Sequence, residues 1–136
     1  MHKNRLYRAI VYAKGINILY YAKEQGWVPM ETIPKKVETT TPVSLVSDGD
    51  NLYIFYRRSR SEAGKEEPIY ASAFSGRKWE DPLPVKNFTT SDSPVVVAVP
   101  GQKGQFYLLY TRNKDIYFTS TQDLKMQFKP LKQSVR

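Results

Sequence analysis

The chain has 136 residues, of which 40% are hydrophobic and 13% aromatic. That length suits one domain, and a composition this rich in aliphatic and aromatic residues can bury a core, which excludes a disordered chain. No apolar run approaches 18 residues, so we expect no membrane-spanning helix. Cys is absent and His2, expected to fray, is the single histidine. These counts exclude disulfides, Cys-ligated zinc, multi-His metal sites and His-based triads, so we assign no catalytic residue, metal or cofactor.

Basic residues outnumber acidic ones by 21 to 13, which gives a net charge of +8. The excess is spread along the chain and forms no basic tail. A basic surface favours anionic partners such as acidic glycans, nucleic acid or an acidic protein face, although a simply basic, soluble surface is the alternative. The segment after Met1 lacks the apolar stretch of a secretory signal. We leave the localisation unknown, and expect the cytoplasm only if Met1 is the native start.

Helical periodicity is hard to find, and nine prolines argue against long helices. Short runs rich in β-branched and aromatic residues, separated by turn residues, predict strands instead. In chain order these runs are Leu6 to Ala13, Ile16 to Ala22, Pro42 to Val46, Leu52 to Tyr56, Ile69 to Phe74, Pro94 to Val99, Gln105 to Tyr110, Ile116 to Ser120 and Phe128 to Lys132. Pro130 in the last run suits an outer edge strand, because proline has no N–H to donate to a ladder. The sequence therefore predicts an all-β domain.

Parts of the chain repeat at intervals of about 50 residues, a period typical of propeller blades with four short strands each. Thr41 to Val43 parallels Ser93 to Val95, Leu52 to Tyr56 parallels Phe106 to Tyr110, and Ile69-Tyr70 parallels Ile116-Tyr117. An earlier, incomplete copy contains Ala9 to Tyr12 and Ile18 to Tyr20. We therefore predict one propeller-like domain over residues 1–136, with blades at about 1–38, 39–89 and 90–136 and the first blade incomplete.

The strand from Leu52 to Tyr56 is apolar on both faces. Leu52, Ile54 and Tyr56 point one way, and Tyr53 and Phe55 point the other way. A sandwich strand shows one polar face, whereas a blade is covered by neighbours on both sides. A sandwich of tandem hairpins is the alternative.

Two segments resemble the Asp-box of sialidase-type propellers, Ser/Thr-x-Asp-x-Gly-x-Thr-Trp. Residues 72–79 keep Ser72, Gly76 and Trp79 at the family spacing, with Phe74 in place of the Asp. Residues 121–128 keep Thr121 and Asp123, with Phe128 in place of the Trp. The resemblance implies a structural role for these residues: polar side chains fix a turn, and the aromatic ring packs between strands.

The resemblance also raises the question of ring closure, because propellers typically close with four to eight blades. About three blades would leave apolar end faces exposed. Two explanations are open: two copies form a six-bladed ring as a homodimer, or the chain is part of a larger propeller.

A cation stands two residues after each aligned tyrosine of the repeat. The pairs are Tyr12 with Lys14, Tyr56 with Arg58, and Tyr110 with Arg112. At equivalent blade positions these six residues would form a positively charged rim that binds carboxylate or phosphate groups. The alternative is a set of solvated strand ends. Asp48 to Asn51 predicts a β-turn rather than a calcium loop, and the mixed charges of residues 57–67 predict a solvated, flexible loop.

Function is predicted less directly than fold. The first hypothesis is a non-enzymatic binding module that contacts an anionic ligand or a protein. A carbohydrate-binding lectin is the alternative, and a remnant of a sialidase-like glycoside hydrolase is the second alternative. Because nothing in the sequence pairs two catalytic carboxyls, enzyme activity stays open and unsupported. Nucleic acid is the least favoured partner, because no RNA-binding signature is present.

Overall fold

The computed structural model describes residues 2–12, 14–30, 38–74, 76, 78–122 and 129–135. The strands, numbered in chain order, are β1 Tyr7–Tyr12, β2 Gly15–Ala22, β3 Gly26–Pro29, β4 Ser44–Ser47, β5 Leu52–Arg57, β6 Glu67–Phe74, β7 Leu83–Thr90, β8 Val95–Ala98, β9 Phe106–Arg112, β10 Asp115–Gln122 and β11 Lys129–Val135. The described part of the chain contains no helix that is long and apolar enough to cross a membrane.

The described strands form three antiparallel sheets, each made of strands that follow one another in the chain. Sheet 1 has the order β1-β2-β3, sheet 2 the order β4-β5-β6-β7 and sheet 3 the order β8-β9-β10-β11. None of these sheets closes on itself. Antiparallel neighbours need only short turns between them, which the frequent Gly, Asn and Asp residues supply. The prediction of an all-β chain is confirmed.

The predicted strands correspond to all observed strands except β3 and β7. β3 has only four residues and ends at Pro29, while β7 contains Pro84 and a polar middle. Neither segment shows the apolar alternation on which the prediction depends. Pro130 lies in β11, the outer strand of sheet 3, as predicted from its missing N–H.

Sheet 2 is buried on both faces. Tyr53 and Phe55 of β5 pack in a cluster with residues of sheet 3, whereas Leu52 and Ile54 pack in a cluster with residues of sheet 1. All six residues of β5 are buried. Removing one such side chain from water stabilises the fold by about 1.5 to 3 kcal/mol. The prediction that neighbouring sheets cover both faces of this strand is confirmed.

Phe106 of β9 packs against two rings of sheet 2. Its centroid lies 4.8 Å from that of Tyr53 and 5.3 Å from that of Phe55, both in edge-to-face geometry. Such pairs add about 0.5 to 1.5 kcal/mol beyond the area they bury. Val96 and Leu108 of sheet 3 complete this side of the cluster.

Trp79 is the largest buried side chain between sheets 1 and 2, where it packs with Ile18, Leu52 and Ile54. Ser72 lies near it, and its hydroxyl donates to the carbonyl oxygen of Glu80 at 2.6 Å. This bond ties β6 to the segment that carries the indole.

The structure describes two of the remaining residues of the two box-like segments and leaves the other two outside the described part of the chain. Gly76 is exposed with a φ of +100°. Thr121 lies in β10, whereas Asp123 and Phe128 lie outside the described residues. The structural role of the second box-like segment therefore stays a prediction.

The end sheets each expose several large apolar side chains, whereas among the described residues of sheet 2 only Leu83 does so. On sheet 3 these are Val95, Val97, Tyr107, Ile116 and Phe118. On sheet 1 they are Ile10, Tyr12, Tyr21 and Trp27. Sheet 1 also has three strands, so among the described residues one edge of β1 has no neighbour, whereas β4 and β8 cover the equivalent edges of β5 and β9.

Asp48 connects sheets 2 and 3 through its carboxylate, and we call this contact the Asp48 latch. One oxygen accepts the N–H groups of Asp50 at 2.9 Å and Asn51 at 2.8 Å, which closes the predicted turn. The other accepts the Tyr53 hydroxyl at 3.0 Å and, from the turn between β8 and β9 of sheet 3, the Gly104 N–H at 2.8 Å. Burial acts to raise the pKa of Asp48, but these hydrogen bonds outweigh it and hold the pKa below its ordinary value of 3.8.

Replacing Asp48 with Asn should destabilise the protein, because an amide nitrogen cannot accept the Gly104 N–H. We expect urea denaturation at pH 7 to show a loss of about 1 to 3 kcal/mol in the free energy of unfolding. A depressed folded-state pKa stabilises the fold above the ordinary value of 3.8, and that stabilisation is lost as pH falls through the folded value. The native protein should therefore lose more stability than the variant in acid.

Asp50→Asn is the matched control for this experiment. Asp50 is exposed and bonds Lys103 Nζ at 2.7 Å. A surface ion pair of this kind contributes little to stability, because solvent screens the two charges. Equal losses for the two substitutions would contradict the latch.

Candidate functional site

The three predicted cations lie at the same end of equivalent strands. Lys14 follows β1 in its hairpin turn, Arg58 follows β5, and Arg112 ends β9. In each sheet the chain then returns as the next antiparallel strand. We call the surface around Lys14, Arg58 and Arg112 the cationic rim.

Two of these cations pack on tyrosines at equivalent positions. The Arg58 guanidinium carbon lies 4.8 Å from the centroid of the Tyr70 ring, and its Nη1 donates to the Tyr70 hydroxyl at 3.1 Å. The Arg112 guanidinium carbon lies 5.9 Å from the centroid of the Tyr117 ring. A cation held over an aromatic face gains about 0.5 to 1 kcal/mol at an exposed site. Sheets 2 and 3 therefore repeat one Arg-on-Tyr arrangement.

A second pair of tyrosines, next to those that carry the arginines, is also repeated in the two sheets. Tyr56 pairs across the strands with Tyr70, and Tyr110 with Tyr117. The ring centroids are 6.3 Å apart in the first pair and 5.6 Å apart in the second. Tyr56 and Tyr110 are buried, and this burial raises the pKa of both hydroxyls. Each buried tyrosine therefore packs against the tyrosine on which the arginine rests.

Sheet 1 contributes to the rim in a different way. Tyr12 is 75% exposed, and Lys14 is exposed with a φ of +65°. The residue opposite Tyr12 is Gly15, so the cross-strand position that holds a second tyrosine in sheets 2 and 3 holds no ring in sheet 1. The role of Tyr12, Lys14 and the other four predicted residues in ligand binding stays a prediction.

Carboxylates neutralise part of the rim. Arg112 Nε lies 3.2 Å from Glu66 Oε1, which also accepts the Thr89 hydroxyl at 3.3 Å. Arg60 forms an ion pair with Glu38. Arg58 has no carboxylate partner among the residues that the structure describes. Arg58 is therefore the rim arginine whose charge is least compensated.

Arg57, the residue beside it, is fully buried and organises the loop between β5 and β6. Its Nη2 donates to the carbonyl oxygens of Lys65 at 2.7 Å and Glu62 at 2.9 Å, and to the Ser61 hydroxyl at 3.0 Å. Its Nη1 donates to the Ser61 carbonyl at 3.0 Å and the Thr40 hydroxyl at 3.3 Å. A buried guanidinium needs this many acceptors, because charge without hydrogen bonds is costly to bury.

The loop is also tied to the segment before sheet 3. The Gly64 N–H donates to the carbonyl oxygen of Ser91 at 2.8 Å, and the Ser91 N–H donates to that of Thr111 at 2.9 Å. The prediction of a solvated loop over 57–67 is confirmed for Arg58, Arg60 and residues 62–65, which are exposed, whereas Arg57 is buried. Arg57 and these backbone bonds hold the loop against the rest of the fold, and its flexibility stays a prediction.

Sequence reasoning missed four residues of this region: Arg57, Glu66, Tyr70 and Tyr117. A signal for the two tyrosines existed, because Ile69-Tyr70 and Ile116-Tyr117 repeat in step with the cations. No comparable signal marks Arg57, which lies in the run Arg57-Arg58-Ser59-Arg60 and differs from its neighbours only through tertiary burial.

Comparison of the chain with protein-family models, with curated proteins and with solved structures finds no match.

Arg57→Lys should destabilise the protein although it keeps the charge. Lysine has three donors on one nitrogen and cannot reach the acceptors that the guanidinium fork bonds. We expect a loss of about 3 kcal/mol in the free energy of unfolding and faster proteolysis within residues 58–66. Arg58→Lys is the matched control, and its effect should stay within about 0.5 kcal/mol because the side chain is exposed. If the two variants unfold alike, Arg57 does not organise the loop.

Proposed function

We propose that this protein is a non-enzymatic binding module that contacts an anionic ligand through the cationic rim. The observation that carries the proposal is the Arg-on-Tyr arrangement, which places Arg58 over Tyr70 and Arg112 over Tyr117 at equivalent positions of two sheets. Two such positions suit a ligand with more than one anionic group, such as an acidic glycan or an acidic protein segment.

The Arg58 guanidinium, held on the Tyr70 ring, is suited to bind an anion. A guanidinium presents five N–H donors in a fixed plane, and Arg58 commits one of its nitrogens to the Tyr70 hydroxyl. The remaining donors match the two oxygens of a carboxylate or sulfate group. A side chain already held on a ring loses less rotamer freedom when a ligand binds. The net charge of +8 attracts the same class of ligand over longer distances.

The described carboxylates of the rim fit a binding site better than a hydrolase site. Glycoside hydrolysis needs one carboxyl as an acid and a second group as a base or nucleophile. Glu66 accepts both Arg112 and Thr89, and Glu38 pairs with Arg60. Each of these carboxylates is committed to holding a neighbouring side chain.

The scaffold that we propose is a set of sialidase-like propeller blades. The repeat of about 50 residues and the coverage of sheet 2 on both faces support this arrangement. The apolar outer faces of sheets 1 and 3 support assembly with a second copy, in which the outer face of sheet 3 packs on that of sheet 1. Two chains would then complete a six-bladed ring.

A lectin is the second candidate, and one observation favours it. On the outer face of sheet 1, the rings of Tyr21 and Trp27 lie 5.5 Å apart, and the Arg8 guanidinium carbon lies 5.2 Å from the Trp27 ring centroid. Exposed aromatic rings beside hydrogen-bond donors suit the faces of neutral sugars. This surface is separate from the cationic rim, so the two functions can be told apart. It is also the face that the proposed dimer would bury, so sugar binding there and the dimer are alternatives.

A glycan array probed with the purified chain tests the binding function. We expect acidic glycans to be retained and neutral ones not, with retention that weakens as ionic strength rises. Arg58→Gln should weaken binding about tenfold, and Arg112→Gln less, because Glu66 already compensates part of that charge.

Arg60→Gln is the control, since it removes one positive charge from the same region without touching the stacks. Binding that falls equally in all three variants would mean that net charge, and not the rim, holds the ligand. Retention of neutral glycans that is lost in Trp27→Ala would favour the lectin, and cleavage of a fluorogenic sialoside would contradict a non-enzymatic module.

Light scattering of the purified chain tests the assembly. We expect a mass of twice the 15.7 kDa of one chain. Val97→Asp places a charge on the outer face of sheet 3, where Val97 is 52% exposed, and should give monomers. Ala63→Asp adds the same charge to the exposed loop after β5 and should leave the dimer intact. A native chain that is monomeric would contradict the dimer, and polydisperse aggregates would favour part of a larger propeller.

A further inference from the structure

A cleft of about 570 Å³ lies between sheets 1 and 2, at the opposite end of the strands from the cationic rim. Tyr7 at the start of β1, Tyr20 near the end of β2 and Phe74 at the end of β6 form its apolar walls. Lys3 and Arg5 are also among the residues that line it. This volume falls within the range of about 300 to 1,000 Å³ that small-molecule sites occupy.

A tight turn over His2 to Arg5 positions the two cations. The N–H of each end residue donates to the carbonyl oxygen of the other at 2.9 Å. The central residues Lys3 and Asn4 have φ angles of +47° and +61°, a left-handed conformation that non-glycine residues adopt at a cost. The turn is therefore a specific structure and not an extended chain end.

His2 anchors this turn to sheet 2, contrary to the expectation that it frays. Its side chain is buried, and its Nδ1 forms a hydrogen bond of 2.5 Å with the Ser47 hydroxyl. On the other side, the Arg5 guanidinium carbon lies 4.4 Å from the centroid of the Tyr20 ring in sheet 1. The turn thus spans the two sheets and holds Arg5 against an aromatic wall of the cleft.

The described lining of the cleft is positive on balance. Lys3 and Arg5 are exposed, and no salt bridge among the described residues involves either of them. Among the described residues that line the cleft, Asp50 is the one that carries a carboxylate, and its oxygen lies 2.7 Å from Lys103 Nζ. That pairing offsets the charge of Asp50, so within the described lining an anion meets Lys3 and Arg5 without a competing carboxylate.

We infer that this cleft is a binding site for a small aromatic anion, in which a planar ring lies between the walls of Tyr7, Tyr20 and Phe74 and its phosphate or carboxylate group meets Lys3 and Arg5. An uncharged ring would form no ion pair with the cations, and an anion without a ring would leave the apolar walls in contact with water. The walls and the cations together therefore favour a ligand that carries both a ring and an anionic group.

NMR titration of the native chain with four probes tests the inference. Phenyl phosphate and AMP carry a ring and a phosphate, ribose 5-phosphate carries the phosphate alone, and adenosine carries the ring alone. We expect both aromatic phosphates to shift the amide signals of Tyr7, Tyr20 and Phe74. Each should bind at least about tenfold more tightly than ribose 5-phosphate and adenosine.

Substitutions of the two cations in the turn test whether the anionic group of the ligand binds there. Arg5→Gln and Lys3→Gln should each weaken binding of phenyl phosphate about tenfold. Lys3→Gln should leave the melting temperature unchanged because the side chain is exposed, whereas Arg5→Gln should lower it slightly because it removes the cation from the Tyr20 ring. Lys114→Gln is the matched control, since Lys114 is exposed and also has a positive φ, of +71°, at the far end of sheet 3. It should bind as the native chain does.

Several outcomes would overturn the inference. These are no binding of either aromatic phosphate at millimolar concentration, equal binding of ribose 5-phosphate, or an equal effect of Lys114→Gln. Because the rim residues lie at the other end of the strands, Arg58→Gln should leave this titration unchanged. The proposal for the cleft and the proposal for the cationic rim can therefore be tested independently of each other.

Discussion

The fold depends on the burial of sheet 2 from both sides. Along β5, alternate side chains enter opposite clusters, with Tyr53 and Phe55 on one side and Leu52 and Ile54 on the other. A strand that is apolar on both faces cannot be stable at a protein surface, so a sheet is required on each side of it. Sheets 1 and 3 satisfy that requirement, and their order in space follows from it.

The outer faces of the two end sheets lack this two-sided coverage among the described residues. The end sheets cover sheet 2 with their inner faces and expose Val97 and Phe118 on one side and Tyr21 and Trp27 on the other. Polar contacts between sheets limit how the sheets slide on each other: the Asp48 latch joins sheets 2 and 3 at one end of the strands, and the Arg57 loop joins them at the other. Apolar packing sets which faces meet, and these bonds set their register.

The proposed binding surfaces lie where the packing requirement is relaxed, at the strand ends. At one end, the rim places Arg58 and Arg112 on tyrosines whose cross-strand partners are buried. At the other, the turn over residues 2–5 closes a cleft with apolar walls. In both places, cations rest on aromatic rings that the sheets hold rigid. Rigid support from the strands is what allows short turns to present charge in a defined geometry.

The alternation and turn residues of the sequence were enough to predict an all-β chain, most of its strands and the two-sided burial of β5, because these properties depend on neighbours in the chain. The equivalence of Arg58 and Arg112 was visible for the same reason. Only the tertiary structure decided that Arg57 is buried while Arg58 is exposed, that His2 anchors a turn, and that a cleft opens between sheets 1 and 2. Each of these depends on contacts between segments distant in the chain, and no local pattern encodes which of several like residues finds a buried partner.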